Sequence, residues 1–484
     1  MVGPTRTRVV IIGAGFGGIG LGIQLKQAGL SDFVILEKAG GVGGVWRENS
    51  YPGAACDVPS HLYSFSFAKA DWPDKYANQS DILAYLEACV RKHGLDAYIR
   101  FGAEVAQARW DESAAHWIVG TRDGTVFEAQ ALVTATGQLS RPFRPPLPGI
   151  ENFSGPVFHS AEWRHDIDLS GKRVAVIGTG ASAIQFIPAI ASRVAALMVF
   201  QRNAAYVLPK PDKAYPRWQQ FLFRRVPGAQ RLSRAWQYLH HEFSAFAFVT
   251  WPAALRVKLP AFRLHLEGGV KDEGRRRGLI PRYRIGCKRI LLSNDFYPAM
   301  ARENVTLVTE DIRQVRADAI VTADGEHKVD CIIFGTGFCA TDFLVPIKIT
   351  GAAGADLHQA WRDGAQAHLG ITVAGFPNFF MLYGPNTNLA HNSIVYMLES
   401  QIRYVLACLR RLASGSARSL EIRPERQDRF NARLRERLKR TVWAKGCTSW
   451  YQTAEGRNTN NWPGYTFEFR LKTRAPNWDD YVVR

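Results

Sequence analysis

Two copies of one pattern and one stretch unlike either set the fold class. Residues 9–36 and 174–200 each run as a short apolar stretch, a glycine-rich turn, a helical pattern and a second apolar stretch. Residues 213–272 are rich in Arg, Trp and Phe and have a mostly helical period. Together these predict an α/β protein: two Rossmann-like dinucleotide-binding domains, each with three layers around a mostly parallel sheet, and an inserted helical subdomain. Length agrees, because 484 residues fit two or three domains and bury a large core without staples. The apolar share, 46%, is that of an ordinary globular protein.

The first copy reads RVVIIGAGFGGIGLGIQLKQAGLSDFVILEK. Residues 9–12 are apolar throughout, as a parallel strand covered on both faces would be. Gly13 permits the tight turn, Gly15 lets a pyrophosphate approach the backbone, and Gly18 lets helix and sheet pack closely. The helix follows through Ile19, Ile23 and Leu25, its N-terminus facing the phosphates. Residues 33–36 form the second strand, and Glu37 closes it, placed to accept hydrogen bonds from ribose hydroxyls.

The second copy reads RVAVIGTGASAIQFIPAIASRVAALMVFQRN. Its strand is residues 174–177, its turn holds Gly178, Gly180 and Ala183, and its second strand is residues 197–200. No acid closes that strand; Gln201 and Arg202 stand there instead. A cation at this corner suits a 2′-phosphate, so this site reads as NADP. Lys288 and Arg289, in GCKRILLSND, add further cations. An acid in one copy and an arginine in the other imply two different dinucleotides, FAD in the first and NADPH in the second.

Two crossover segments divide the chain. ALVTATGQLSRPFRPPLPG leaves a strand at Thr136-Gly137 and turns proline-rich; CIIFGTGFCATDF leaves another at Gly335-Thr336-Gly337. The expected domains are 1–140 with 340–484 for FAD, 141–212 with 273–339 for NADP, and 213–272 as the helical insertion. That insertion reads as a roof over the active site, or as an amphipathic contact with a membrane surface.

Composition bounds the partners. The formal charge of +18 favours anionic ligands, nucleic acid or an anionic membrane. The basic residues form no helix-turn-helix or zinc pattern, so nucleic-acid binding is not expected. Seven scattered cysteines, without a CxxC pair, predict free thiols, a cytoplasmic location and no metal site. No signal peptide is expected before the first strand, and no run of ~18 apolar residues predicts a spanning helix.

Between the two copies lies FSGPVFHSAEWR, residues 153–164. Phe153, Gly155, His159 and Trp163 match the pattern Phe-x-Gly-x-x-x-His-x-x-x-Trp, and the chain resembles the class B flavoprotein monooxygenases, more narrowly the type I Baeyer–Villiger monooxygenases. The N- and S-oxidising flavin monooxygenases, the alternative, usually carry Tyr or Phe where Trp163 stands. Arg164 follows where the family continues with Pro or Asp, which marks a divergent branch. GGVGGVWRENSYPGAACD resembles a second family segment, with Gly44, Trp46, Tyr51, Pro52, Gly53 and Asp57. GCKRILLSND, GPNTNLAHNS and GRNTNNWPGYTFEFR extend the likeness almost end to end.

The resemblance implies an enzyme that uses FAD, NADPH and O₂ to insert oxygen beside a ketone carbonyl, giving an ester or lactone through a C4a-peroxyflavin. It implies Arg289 as the catalytic arginine that keeps the peroxide deprotonated, with Asp57 holding that arginine. His159, just past the proline-rich crossover, is expected to orient the two domains rather than to trade protons. Gly44 and Trp46 join the cofactor-binding set, as do Gly384, Pro385 and Asn386 on the flavin side. His391, Asn392 and Ser393 are expected at the start of a helix aimed at the flavin. The aromatic insertion hints at a bulky or apolar ketone.

Overall fold

A computed structural model describes residues 4–444, 446 and 448–484. Its first strand, Thr5–Ile12, is buried only over residues 9–12. It pairs in parallel with Phe33–Leu36 on one side and Val126–Thr134 on the other. Val126–Thr134 forks: residues 126–129 pair antiparallel with His116–Thr121, and residues 132–134 pair in parallel with Phe379–Met381. The result is one eight-stranded sheet to which Lys348–Thr350, from the last third of the chain, adds an edge. Segments from both ends of the sequence therefore share one core.

The second sheet has five parallel strands in the order Val305–Val308, Ala196–Phe200, Arg173–Ile177, Cys331–Phe334 and Val157–His159. Arg173–Ile177 has a neighbour on each side, so the chain reverses its winding direction there. A crevice opens at the carboxyl ends of the strands at such a point. The two crossovers meet between the sheets. Phe143 N–H donates to the Gly337 carbonyl at 2.8 Å, and Cys339 N–H donates to the Arg141 carbonyl at 2.9 Å. They run antiparallel, as one two-stranded hinge.

The insertion is helical as expected: Arg217–Arg225, Ala229–Val249, Pro252–Lys258 and Leu259–Gly269. Two charged residues fix it to the first half. Arg234 donates to the His61 carbonyl at 2.9 Å and faces Glu399 at 3.4 Å. Buried Glu242 accepts from Asn392 at 2.7 Å and from the Thr466 N–H at 2.6 Å. Leu259–Gly269 packs instead on Phe296–Met300 of the second half, so the insertion straddles both.

Cys56, Cys89, Cys331, Cys339 and Cys408 are free thiols, but Cys287 is disulfide-bonded. This corrects the expectation of free thiols alone, which rested on sequence spacing; pairing depends on Cα separation in the fold. Among the described residues no helix is long and apolar enough to cross a membrane.

Candidate active site between the two dinucleotide-binding halves

Both glycine turns need glycine for the same reason. Gly13 has φ +104°, and a Cβ there would stand 2.7 Å from the Ala135 carbonyl oxygen. Gly178 has φ +102°, and a Cβ there would stand 2.6 Å from the Gly335 carbonyl oxygen. In each copy the segment leaving the adjacent strand crowds the turn. Gly18 lies against the Gly13 carbonyl, while Ala183 takes the corresponding place in the second copy and meets Gly335. Gly15 and Gly44 bring their backbones face to face, and Gly180 lines the cleft described below. Helices Phe16–Gln27 and Ala183–Ala191 start directly after these turns. Among the described residues no side chain caps either helix, and neither has an acid in its first turn. Their N-terminal N–H groups are open to a pyrophosphate.

The two corner positions differ as charge requires. Glu37 is buried and accepts from the Ala14 N–H at 2.7 Å and the Ala39 N–H at 2.9 Å. This leaves carboxylate lone pairs for ribose hydroxyls. In the second copy Gln201 is held by Thr179 at 3.1 Å and by the Gly278 carbonyl at 2.8 Å. Arg202, next to it, lies near Lys288, whose ammonium stands 5.0 Å over the Tyr283 ring. Burial first, and then the charge of Arg202, lowers the Lys288 pKa. Two cations that repel each other form a site that a phosphate dianion would relieve. The residues present thus fit FAD at the first turn and NADPH at the second.

A cleft of about 1890 Å³ runs between the sheets and is lined by Trp46, Asp57, Gly178, Arg202, Lys288 and Arg289. Asp57 reaches it because residues 51–57 dock on the helix Ala183–Ala191. Gly53 has φ +78°, and a Cβ there would stand 2.8 Å from the Gln185 carbonyl oxygen; the Ala55 N–H donates to the Gln185 side chain at 2.8 Å. At the end of this loop Asp57 takes Arg289 in a fork. Nε donates to Oδ2 at 2.9 Å, and Nη2 donates to both carboxylate oxygens at 2.7 Å. Nη1 points to the Leu389 carbonyl at 3.4 Å. The carboxylate of Asp57 raises the Arg289 pKa above its ordinary value, against burial, so the guanidinium stays charged.

The histidine segment is a scaffold beside this cleft. Val157–His159 is the sheet edge next to Cys331–Phe334. His159 is fully buried; its Nδ1 accepts from the Ala161 N–H at 3.1 Å, and its ring meets Phe338 of the hinge edge-on at 5.7 Å. Burial lowers its pKa to about 4. Gly155 makes room for the Asp330 carbonyl, and Trp163 packs on Phe158 and Phe186. His159 does not line the cleft.

Other expected residues are placed as follows. Trp46 donates to Tyr63 Oη at 3.1 Å on the cleft wall. Asn386 spends its amide on the Asn458 and Asn461 carbonyls, at 3.1 and 3.2 Å, which ties the C-terminal segment down. Ser393 caps the helix Ile394–Ala413, accepting from the Val395 N–H at 3.2 Å. None of residues 213–272 lines the cleft directly. Glu242 instead backs the cleft wall through its bond to Asn392, which lines the cleft; periodicity alone could not show this.

Sequence reasoning missed the tyrosines around Arg289. Tyr383 donates to Asn388 at 2.7 Å, and Arg289 acts electrostatically on both Tyr383 and Tyr451. Burial pushes Tyr451 up to about 12, and its hydroxyl has no partner among the described residues. Tyr383 adjoins the GPNTN segment; no spacing signal marks Tyr451.

Two facing dinucleotide sites with a charged fork between them define a flavin- and nicotinamide-dependent oxidoreductase. Residues 6–347 match the family described as flavin-binding monooxygenase-like. A Baeyer–Villiger monooxygenase of Streptomyces coelicolor is 46% identical over 482 residues, covering 99% of this chain and 93% of that protein. Another from Pseudomonas aeruginosa is 48% identical over 471 residues, covering 96% and 89%. The crystal structure of cyclohexanone monooxygenase from Rhodococcus sp. Phi1 bound to NADP⁺ is similar at TM-score 0.89 and 29% identity, covering 100% of both chains. The chain belongs to the flavin-binding monooxygenase-like family and, within it, to the Baeyer–Villiger monooxygenases. It is an FAD- and NADPH-dependent monooxygenase.

Proposed function

We propose that the Asp57–Arg289 fork is the reaction centre for oxidation of an apolar ketone to an ester or lactone. The observation that carries this reading is the position of the fork, in one cleft with both Trp46 of the first half and Arg202 of the second. Residues 1–140 and 340–484 hold FAD in this reading, and residues 141–212 and 273–339 hold NADPH. When bound and reduced, the flavin supplies activated oxygen. The chain supplies the charge. Arg289 stabilises negative charge that develops on oxygen as the ketone carbonyl is attacked and rearranges. Asp57 holds the guanidinium in one plane and sets its reach. Tyr383 and the Leu389 carbonyl stand beside it. His159, neutral and buried, steadies the hinge across which the halves must adjust; it is a positioning residue, not an acid or base.

Arg289→Ala tests the assignment. The purified variant should be yellow and should still be reduced by NADPH without oxygen. Ketone conversion should fall by roughly 10²–10³-fold or more, the loss expected when a donor to a developing oxyanion is removed. A ketone is the substrate to measure, because sulfide oxidation does not separate this reading from heteroatom oxidation. A variant that forms ester at the wild-type rate removes Arg289 from the chemistry.

A further inference from the structure

The insertion presents a face that the reaction does not use. Helix Ala229–Val249 turns Gln230, Glu242, Ala245 and Phe248 into the protein. Its opposite face carries Leu232, Trp236, Leu239 and Phe243, which are 74%, 73%, 60% and 83% exposed. Their spacing, i, i+4, i+7 and i+11, is one stripe of an α-helix. Trp218 and Phe221 on the adjoining helix, and Trp251 just beyond, are also exposed. A contiguous apolar stripe of this kind marks a contact surface.

Charge on the same span is one-sided. Between residues 213 and 266 the sequence has nine Lys and Arg and a single acid, Glu242. That acid is buried against Asn392 and Thr466. Arg224 and Arg234 are taken up by Asp71 and Glu399. Arg217, Arg225, Arg231, Arg256 and Arg263 are exposed and, among the described residues, make no ion pair. Helices Arg217–Arg225 and Ala229–Val249 therefore combine exposed tryptophan, phenylalanine and leucine with arginine and expose no carboxylate; the exposed acids of the insertion, Glu267 and Asp272, lie at its far end.

We propose that this face seats the enzyme on an anionic membrane surface, with aromatic and leucine side chains among the headgroups and arginines on lipid phosphates. A second copy of the chain is the competing occupant. Two-fold pairing would set the face against itself, cation against cation, and the insertion's exposed acids, Glu267 and Asp272, lie outside the stripe. An anionic bilayer supplies the charge that the face lacks.

The test is flotation of the FAD-loaded full-length protein with vesicles of phosphatidylcholine, alone or mixed with phosphatidylglycerol. The mixed vesicles should capture it, the neutral ones should not, and added salt should weaken capture. Trp236→Ser with Phe243→Ser should lower partitioning about tenfold or more. Arg231→Glu with Arg256→Glu should lower it by about tenfold as well. Both double variants should keep ketone turnover in solution, because these side chains touch neither cleft nor core. Failure of the mixed vesicles to capture the protein overturns the proposal, as does capture that both double variants leave intact. A concentration-dependent dimer broken by Trp236→Ser with Phe243→Ser, without vesicle binding, assigns the face to a second copy instead.

Discussion

Arg202 and Lys288 illustrate how much a single residue fixes. Gln201, at the place where the first copy has its acid, is held in uncharged hydrogen bonds, and among the described residues no ion pair neutralises the two cations. A charge-assisted hydrogen bond contributes about 1.5–3 kcal/mol. Arg202→Gln or Lys288→Ala should therefore raise the KM for NADPH roughly 10- to 100-fold, with kcat at saturation little changed. The discrimination against NADH should narrow by the same factor, which steady-state kinetics with both cofactors would show. At Arg289 the geometry is stricter. Arg289→Lys keeps the charge but cannot form the fork on Asp57, so it should recover only a small part of the activity lost in Arg289→Ala.

At the scale of elements, the loop of residues 51–57 matters most, because it belongs to the first half yet rests on the first helix of the second. Gly53 makes that approach with a positive φ and no space for a Cβ. Gly53→Ala should cost about 1–3 kcal/mol through strain and displacement from Gln185. The displaced loop would carry Asp57 with it. The variant should show a lower Tm and reduced ketone turnover together, while NADPH affinity stays near wild type because Arg202 and Lys288 lie on other segments. Glu242 plays a comparable part for the insertion. It gathers three N–H donors and a hydroxyl from two distant segments. Glu242→Ala should loosen Ala229–Val249, seen as faster amide exchange in that helix.

Across the whole molecule, buried histidines set a pH limit. Burial lowers His61, His159 and His368 from 6.5 to about 4, and His391 to about 3. Unfolding returns them to their ordinary value, so the unfolded chain binds more protons throughout this window. Stability from this source is full above about pH 6.5 and is lost as pH falls toward 4. Each imidazole contributes a slope of up to about 1.4 kcal/mol per pH unit. Thermal melts should therefore fall steeply between pH 6.5 and 4, and His391→Gln should flatten the decline. A Tm that stays level across that range contradicts the assignment of these groups as neutral.

The amino-acid sequence by itself determined whatever depends on neighbours along the chain. Strand, turn and helix follow within some thirty residues, and so do the glycines that the turns require, the contrast of Glu37 with Arg202, and the start of the helix at Ile394. Only the tertiary structure decided what depends on distant segments meeting. Asp57 and Arg289 are 232 positions apart and form their fork because one half of the molecule docks on the other. The same docking buries His159 beneath the hinge and packs Trp163 on Phe186, making a recognisable motif into scaffold. It also backs the insertion against Asn392 of the cleft wall. Local spacing fixes dihedrals and short hydrogen bonds; contacts across hundreds of residues depend on which buried surfaces fit together, and periodicity along the chain carries no record of that fit.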